Sequence, residues 1–121
     1  GCDALTVANT VPAMWFDLAE GRPALEAGTG GLSGPAILPI VVRLVHLVHE
    51  GVAREAGVDI IGLGGVSSWR DAAQMMLAGA SCVGVGTITL ADLRSVERIR
   101  RGLERWLAAR GGAEKFGKNA E

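Results

Sequence analysis

Lysine is nearly absent from this chain. The only two, Lys115 and Lys118, sit close to its C-terminal end, so no lysine lies near any of the glycine loops described below. Aromatic residues make up 4% of the sequence, too few to build stacking platforms for nucleobases. Acidic and basic residues cancel to a net charge of −1, which gives no electrostatic reason to expect a nucleic acid or an anionic membrane surface as partner. Cys2 and Cys82 lack metal-ligand spacing and are too few for a disulfide framework, so a cytoplasmic location is expected. No signal-peptide pattern precedes the first apolar run. The longest such run, Pro35 to Val42, ends at Arg43 and falls short of the roughly 20 residues of a membrane span. Paired carboxylates, a nucleophile–base pair and a metal cluster are also missing. His46 and His49 are three apart with no carboxylate or cysteine to complete a set, so no metal is expected.

Hydrophobic residues at 49% provide ample material for a core. They fall into three strand–helix units. The first has a strand at Ala4–Ala8, a long connection from Asn9 to Ser33 and a helix near Gly34–Glu50. Arg43, His46 and Glu50 mark the solvated face of that helix, and Pro35 sits in its first turn. The second has a strand at Asp59–Leu63 and a helix to Ala78, opened by a capping box at Ser68 and Asp71 and stopped by Gly79. The third has a strand at Ser81–Val85 and a helix from Asp92 to Arg110. Val96, Ile99, Leu103, Trp106 and Leu107 form its predicted buried stripe. Strands that alternate with helices predict a parallel sheet in an α/β fold.

Glycine-bearing turns close the last two strands, at Ile60-Ile61-Gly62-Leu63-Gly64-Gly65 and Cys82-Val83-Gly84-Val85-Gly86-Thr87. A third glycine segment, Thr29–Gly34, opens a helix and is expected to be a flexible ligand loop. Bare backbone N–H groups near helix N-termini suit a phosphate, and in a (β/α)8 barrel phosphate is frequently held by the loops after the last two strands. Alone, Gly64-Gly65 reads equally as a tight turn. The equivalent Gly86-Thr87 in the next unit moves the balance towards a phosphorylated ligand, although Thr87 also suits helix capping. Asn9, at a strand end, can read the amide and carbonyl edge of a planar ring or simply cap a turn. Trp15-Phe16 is expected near the barrel mouth, with Trp69 and Trp106 on core surfaces. A (β/α)8 barrel takes roughly 250 residues. The expectation is therefore the last three β/α units of a TIM barrel over residues 1–111, followed by a loose tail at 112–121.

Asn9-Thr10, the run Gly30-Gly31-Leu32-Ser33-Gly34-Pro35-Ala36-Ile37, Ile60 to Val66, Ala78-Gly79-Ala80-Ser81 and Val83 to Thr87 together resemble the C-terminal half of the dihydroorotate dehydrogenases. That resemblance implies an FMN-dependent barrel oxidising dihydroorotate to orotate in pyrimidine biosynthesis. It implies FMN contacts at Ala8, Gly34, Gly64, Gly65, Gly86 and Thr87, and orotate contacts at Asn9 and Thr10. The catalytic base and essential lysines are implied upstream of Gly1, so no catalytic residue is assigned. The Pro-Ala-Ile continuation and Gly86-Thr87 resemble the cytosolic NAD-linked type, which implies a partner subunit carrying FAD and an iron–sulfur cluster, and a homo-oligomer. Leu38 and the extended stretch Glu50–Val58 depart from that subtype. The flavin domain of a dihydropyrimidine dehydrogenase, a sugar-phosphate barrel and a truncated, non-catalytic phosphate-binding half-barrel are the competing readings.

Overall fold

Leucine and β-branched residues within Ala4–Val7 form the first strand, β1, and the Val7–Ala8 peptide that follows is cis. A computed structural model describes residues 1–112, so the tail expected at 112–121 lies, apart from Gly112, outside the described residues. The long connection from Asn9 to Ser33 is ordered, and Gly30–Leu32 within the segment expected to be a flexible ligand loop is a strand. The connection folds into two nested antiparallel hairpins, β2 (Val11–Ala13) with β5 (Gly30–Leu32), and β3 (Phe16–Asp17) with β4 (Arg22–Pro23). Strands this short and glycine-bearing carry no readable alternation, which is why the sequence does not announce them. Trp15 and Phe16 ride exposed on this excursion.

Gly34, at φ +85°, turns the chain into a 3₁₀ turn at Pro35–Ile37 and helix α1 at Leu38–Val48. Ile37, Val41 and Val45 face inward, and Arg43, His46 and Glu50 stay exposed as their spacing predicts. The helix does not end near Glu50. It widens into a π turn at His49–Ala53, continues through α2 (Arg54–Ala56) and stops at Gly57, at φ +66°. The helical stretch Pro35–Ala56 is 22 residues long, enough by length and composition to cross a membrane. Unbroken apolar runs do not reveal this. Its inner face nevertheless packs on the sheet, as expected of a helix covering an α/β layer.

Strand β6 (Asp59–Leu63) lies between β1 and β7 (Cys82–Gly84) in a three-stranded parallel sheet. The register pairs Val7 with Gly62 and Ile61 with Cys82. Val7, Gly62 and Val83 therefore share the helix-covered face, while Thr6, Ile61 and Cys82 share the other. Helix α3 (Trp69–Leu77) carries the predicted capping box, and Gly79, at φ +111°, follows its last turn. A short helix α4 (Ile88–Ala91) precedes α5 (Ser95–Ala108), which ends at Gly111 and Gly112, both with positive φ.

Ile37, Val41, Val45, Ile60, Met75 and Ile99 form the centre of the core, between the sheet and helices α1, α3 and α5. Full burial of such a side chain contributes roughly 1.5–3 kcal/mol relative to exposure. The stripe of α5 is corrected at one position: Val96 is exposed and Ser95 and Gly102 are buried instead, while Ile99 is buried as predicted. Gly102 is the notch that admits Trp69 of α3, since a Cβ there would lie 2.6 Å from the Trp69 Cβ. Trp69 and Trp106 are half-buried as expected, with Arg70 and Arg110 over their respective rings. On the outer face of α5, hydrogen bonds from Arg100 and Arg101 hold the Glu97 carboxyl at about 2. The protein is thus a mixed α/β fold built on a parallel sheet.

Candidate functional site

In a parallel sheet every strand points the same way, so the turns after β1, β6 and β7 emerge on one edge. There they enclose a cavity of about 290 Å³. Ala8, Asn9 and Thr10 enter it from the end of β1, Gly34 from the turn before α1, Gly64 and Gly65 from behind β6, and Gly86 and Thr87 from behind β7. The eight residues singled out in the sequence thus line a single space. Ser33 enters from the segment expected to be a ligand loop, while sequence reasoning did not assign Ser67 or the apolar wall of Ile37, Leu63, Val66, Ile88 and Ala91. Ser67 stands two residues after Gly65, a signal that could have marked it.

The glycines serve different ends. Gly64 and Gly65 have φ of +134° and +77°, and a Cβ on Gly65 would lie 2.6 Å from the Leu38 backbone nitrogen. A Cβ on Gly64 would lie 2.9 Å from the Val41 Cγ2. These two glycines are therefore demanded by the close approach of α1, whatever else binds. Gly86 is unlike them. Its φ lies outside the left-handed region, and a Cβ there would meet no protein atom within 4 Å. Gly34 has equally open surroundings, but its φ of +85° restricts substitution.

Polar groups around the cavity are fixed by local bonds. Ala8 N donates to the Leu63 carbonyl at 2.9 Å, tying the end of β1 to the end of β6. Thr10 N donates to Asn9 Oδ1 at 2.7 Å. Thr87 makes no side-chain cap for α4, so the capping role open to it in the sequence is not used. Thr89 takes the turn bond instead, its hydroxyl donating to the Gly86 carbonyl at 2.7 Å. Ser67 donates through Oγ and N to Asp71 Oδ2, at 2.9 and 3.0 Å, and Ser68 N donates to the same oxygen at 2.9 Å.

Burial raises the Asp71 carboxyl, but the hydrogen bonds from Ser67 and Ser68 outweigh it and hold it below the ordinary carboxylate range. Asp71 is consequently a poor base, and the Ser67–Asp71 contact belongs to the helix cap. Among the described residues no charged side chain lines the cavity. Its donors are main-chain amides, the Asn9 NH2 group and the hydroxyls of Thr10, Ser33 and Thr87, the Ser67 hydroxyl being committed to Asp71. Such a wall can accept anionic oxygens and planar polar rings, but it holds no group suited to taking a proton.

A model of the dihydroorotate dehydrogenase family matches residues 1–107. The chain is 46% identical over 114 residues to the dihydroorotate dehydrogenase B (NAD(+)) catalytic subunit of Trichlorobacter lovleyi, covering 94% of this chain and 36% of that protein. It is 45% identical over 104 residues to the subunit of the same name from Cutibacterium acnes, covering 86% and 33%. Identity to the corresponding Saccharolobus solfataricus protein is 44% over 112 residues, covering 92% and 37%. The chain therefore spans only about a third of the length of these curated relatives.

Proposed function

The chain belongs to the dihydroorotate dehydrogenase family, and from that membership we propose that it supplies the FMN-phosphate site and part of the pyrimidine site of an enzyme that oxidises dihydroorotate to orotate. The observation that carries this reading is the convergence of Ala8, Asn9, Thr10, Gly34, Gly64, Gly65, Gly86 and Thr87 on one cavity. In this reading the parallel strands β1, β6 and β7 are an arc of a (β/α)8 barrel with its ligands at the C-terminal strand ends.

The donor set fits a phosphate. Gly64, Gly65 and Gly86 line the cavity and carry no side chain of their own to shield their main-chain amides, and the Thr87 hydroxyl is free of any capping bond. We assign the phosphate to the turns after β6 and β7 and to Gly34, with Ala8 against the ring system. Asn9 and Thr10 hold the pyrimidine by its amide and carbonyl edge and keep its ring oriented. When bound, FMN supplies the hydride acceptor. The apolar wall of Ile37, Leu63, Val66 and Ile88 excludes water from the cofactor. The base that removes the substrate proton, and the cation that balances the flavin, are assigned to parts of the enzyme beyond these residues.

The relatives named catalytic subunits of an NAD(+)-linked enzyme support a second subunit as electron partner, which we assign to an FAD- and iron–sulfur-carrying protein. A cytoplasmic homo-oligomer completes the proposal. The test is to purify the intact protein, release and identify its chromophore, and add dihydroorotate without oxygen. Bound FMN that bleaches with formation of orotate is the expected result. A protein without flavin, or a flavin reduced by other substrates and not by dihydroorotate, would sink the reading.

A further inference from the structure

We propose that Gly31 is a positioning residue for the pyrimidine subsite, acting through Thr10; this rests on the assignment of Asn9 and Thr10 made above. Gly31 lies in β5, opposite Pro12 of β2, and does not itself line the cavity. A Cβ built on it would lie 2.6 Å from the Thr10 Cβ and 3.2 Å from its Cγ2, and would overlap its Oγ1. The Thr10 side chain therefore rests directly on the bare Cα of Gly31. Threonine is β-branched and its Cβ is fixed to the backbone, so turning χ1 cannot relieve a clash at Cβ itself. Either β5 must lift from β2 or the Thr10 backbone must move.

Movement of that backbone propagates to the neighbouring ligand residue. The Thr10 amide is the donor that holds Asn9 Oδ1, at 2.7 Å. One missing side chain on the hairpin thus fixes two residues in the cavity, Thr10 by contact and Asn9 by hydrogen bond. The adjacent glycine gives an internal contrast. A Cβ on Gly30 would meet only the Leu25 Cδ1, at 2.5 Å, the far end of a flexible side chain that can swing aside. Neither glycine has a left-handed φ, so alanine at either site is acceptable to the backbone and only its neighbours decide the effect.

The experiment compares Gly30→Ala, Gly31→Ala, Thr10→Gly and the Thr10→Gly/Gly31→Ala double variant of the intact protein, reading FMN content, dihydroorotate KM and kcat. Loss of one polar contact in a buried site shifts binding by about tenfold or more. Gly31→Ala is expected to retain FMN and raise KM by that factor, with a smaller change in kcat, while Gly30→Ala keeps the parent KM. In the Thr10→Gly background, Gly31→Ala is expected to add almost nothing, because the atoms it strikes are gone. A parental KM in Gly31→Ala overturns the inference, as does the same penalty in both backgrounds. Should Gly31→Ala fail to fold, recovery of soluble flavoprotein in the double variant supports the contact, and failure of both overturns it. If the parent oxidises dihydroorotate and Asn9→Ala impairs it, a negative result at Gly31 removes this inference alone. A parent inactive towards dihydroorotate removes the proposed function and this inference with it.

Discussion

The side-chain oxygen of Asn9 accepts a hydrogen bond from the Thr10 amide at 2.7 Å. Only the oxygen can face an N–H, so both hydrogens of the Asn9 NH2 group, and a second lone pair on its oxygen, are left for another partner. Turn formation and ligand reading, which stand as alternatives in the sequence, are therefore compatible at this residue.

Substitution separates the two roles. An unsatisfied buried polar group costs about 1–3 kcal/mol, so Asn9→Ala is expected to raise the dihydroorotate KM about tenfold or more while FMN stays bound. Asn9→Asp keeps an acceptor for the Thr10 amide but has no NH2 to donate. It is expected to remain impaired in steady-state kinetics. Parent-like kinetics in Asn9→Asp would assign Asn9 to the turn alone.

The phosphate site is best probed at Gly86. A bulky residue at Gly65 strikes the Leu38 backbone and needs a left-handed φ, so loss of flavin there would accompany loss of packing. At Gly86 a Cβ would meet no protein atom within 4 Å, and the residue lines the cavity. Gly86→Val is expected to lower FMN retention severalfold while the flavin-free protein melts at the parent temperature. Equal flavin content in the purified variant would remove the turn after β7 from the phosphate site.

What was legible follows from the length and regularity of each element. Asp59–Leu63, with its isoleucines and flanking glycines, is legible at its observed bounds, and so is the Ser68–Asp71 capping box. The hairpins between Asn9 and Ser33 are not, because their strands are two or three residues long and their glycines look like loop. The π turn at His49–Ala53 escaped because helical periodicity assumes a constant pitch. Glycine positions were visible in the sequence but not their reasons. That Gly65 clears Leu38, Gly31 clears Thr10 and Gly102 clears Trp69 depends on partners distant in sequence.

Asp71 links pH to stability at the mouth of α3. Its folded-state pKa is depressed, so its contribution is fully present above the unfolded-state value and is lost as pH falls through the folded one. Asp71→Ala is expected to lower stability by about 1 kcal/mol near neutral pH, the usual loss for a helix cap. The deficit should shrink as the parent is acidified below the ordinary carboxylate range. Urea melts of the intact protein at neutral and acid pH measure it, and a deficit independent of pH would show that the carboxylate charge is not what the Ser67 and Ser68 donors recognise.

The last expectation concerns residues 1–121 expressed by themselves. The sheet face bearing Thr6, Ile61 and Cys82 has its helices on the opposite side, and β1 and β7 each pair on one edge only among the described residues. Leu90 and Leu93, at 89% and 88% exposure, add apolar surface near the end of β7. Unpaired strand edges beside uncovered apolar surface recruit other chains. The cavity wall also lacks a group that can take a proton from a substrate. This polypeptide is expected to self-associate with rising concentration in light scattering, and to show no dihydroorotate oxidation with added FMN. A monodisperse monomer that turns over dihydroorotate would mean that the proton acceptor lies within these residues after all.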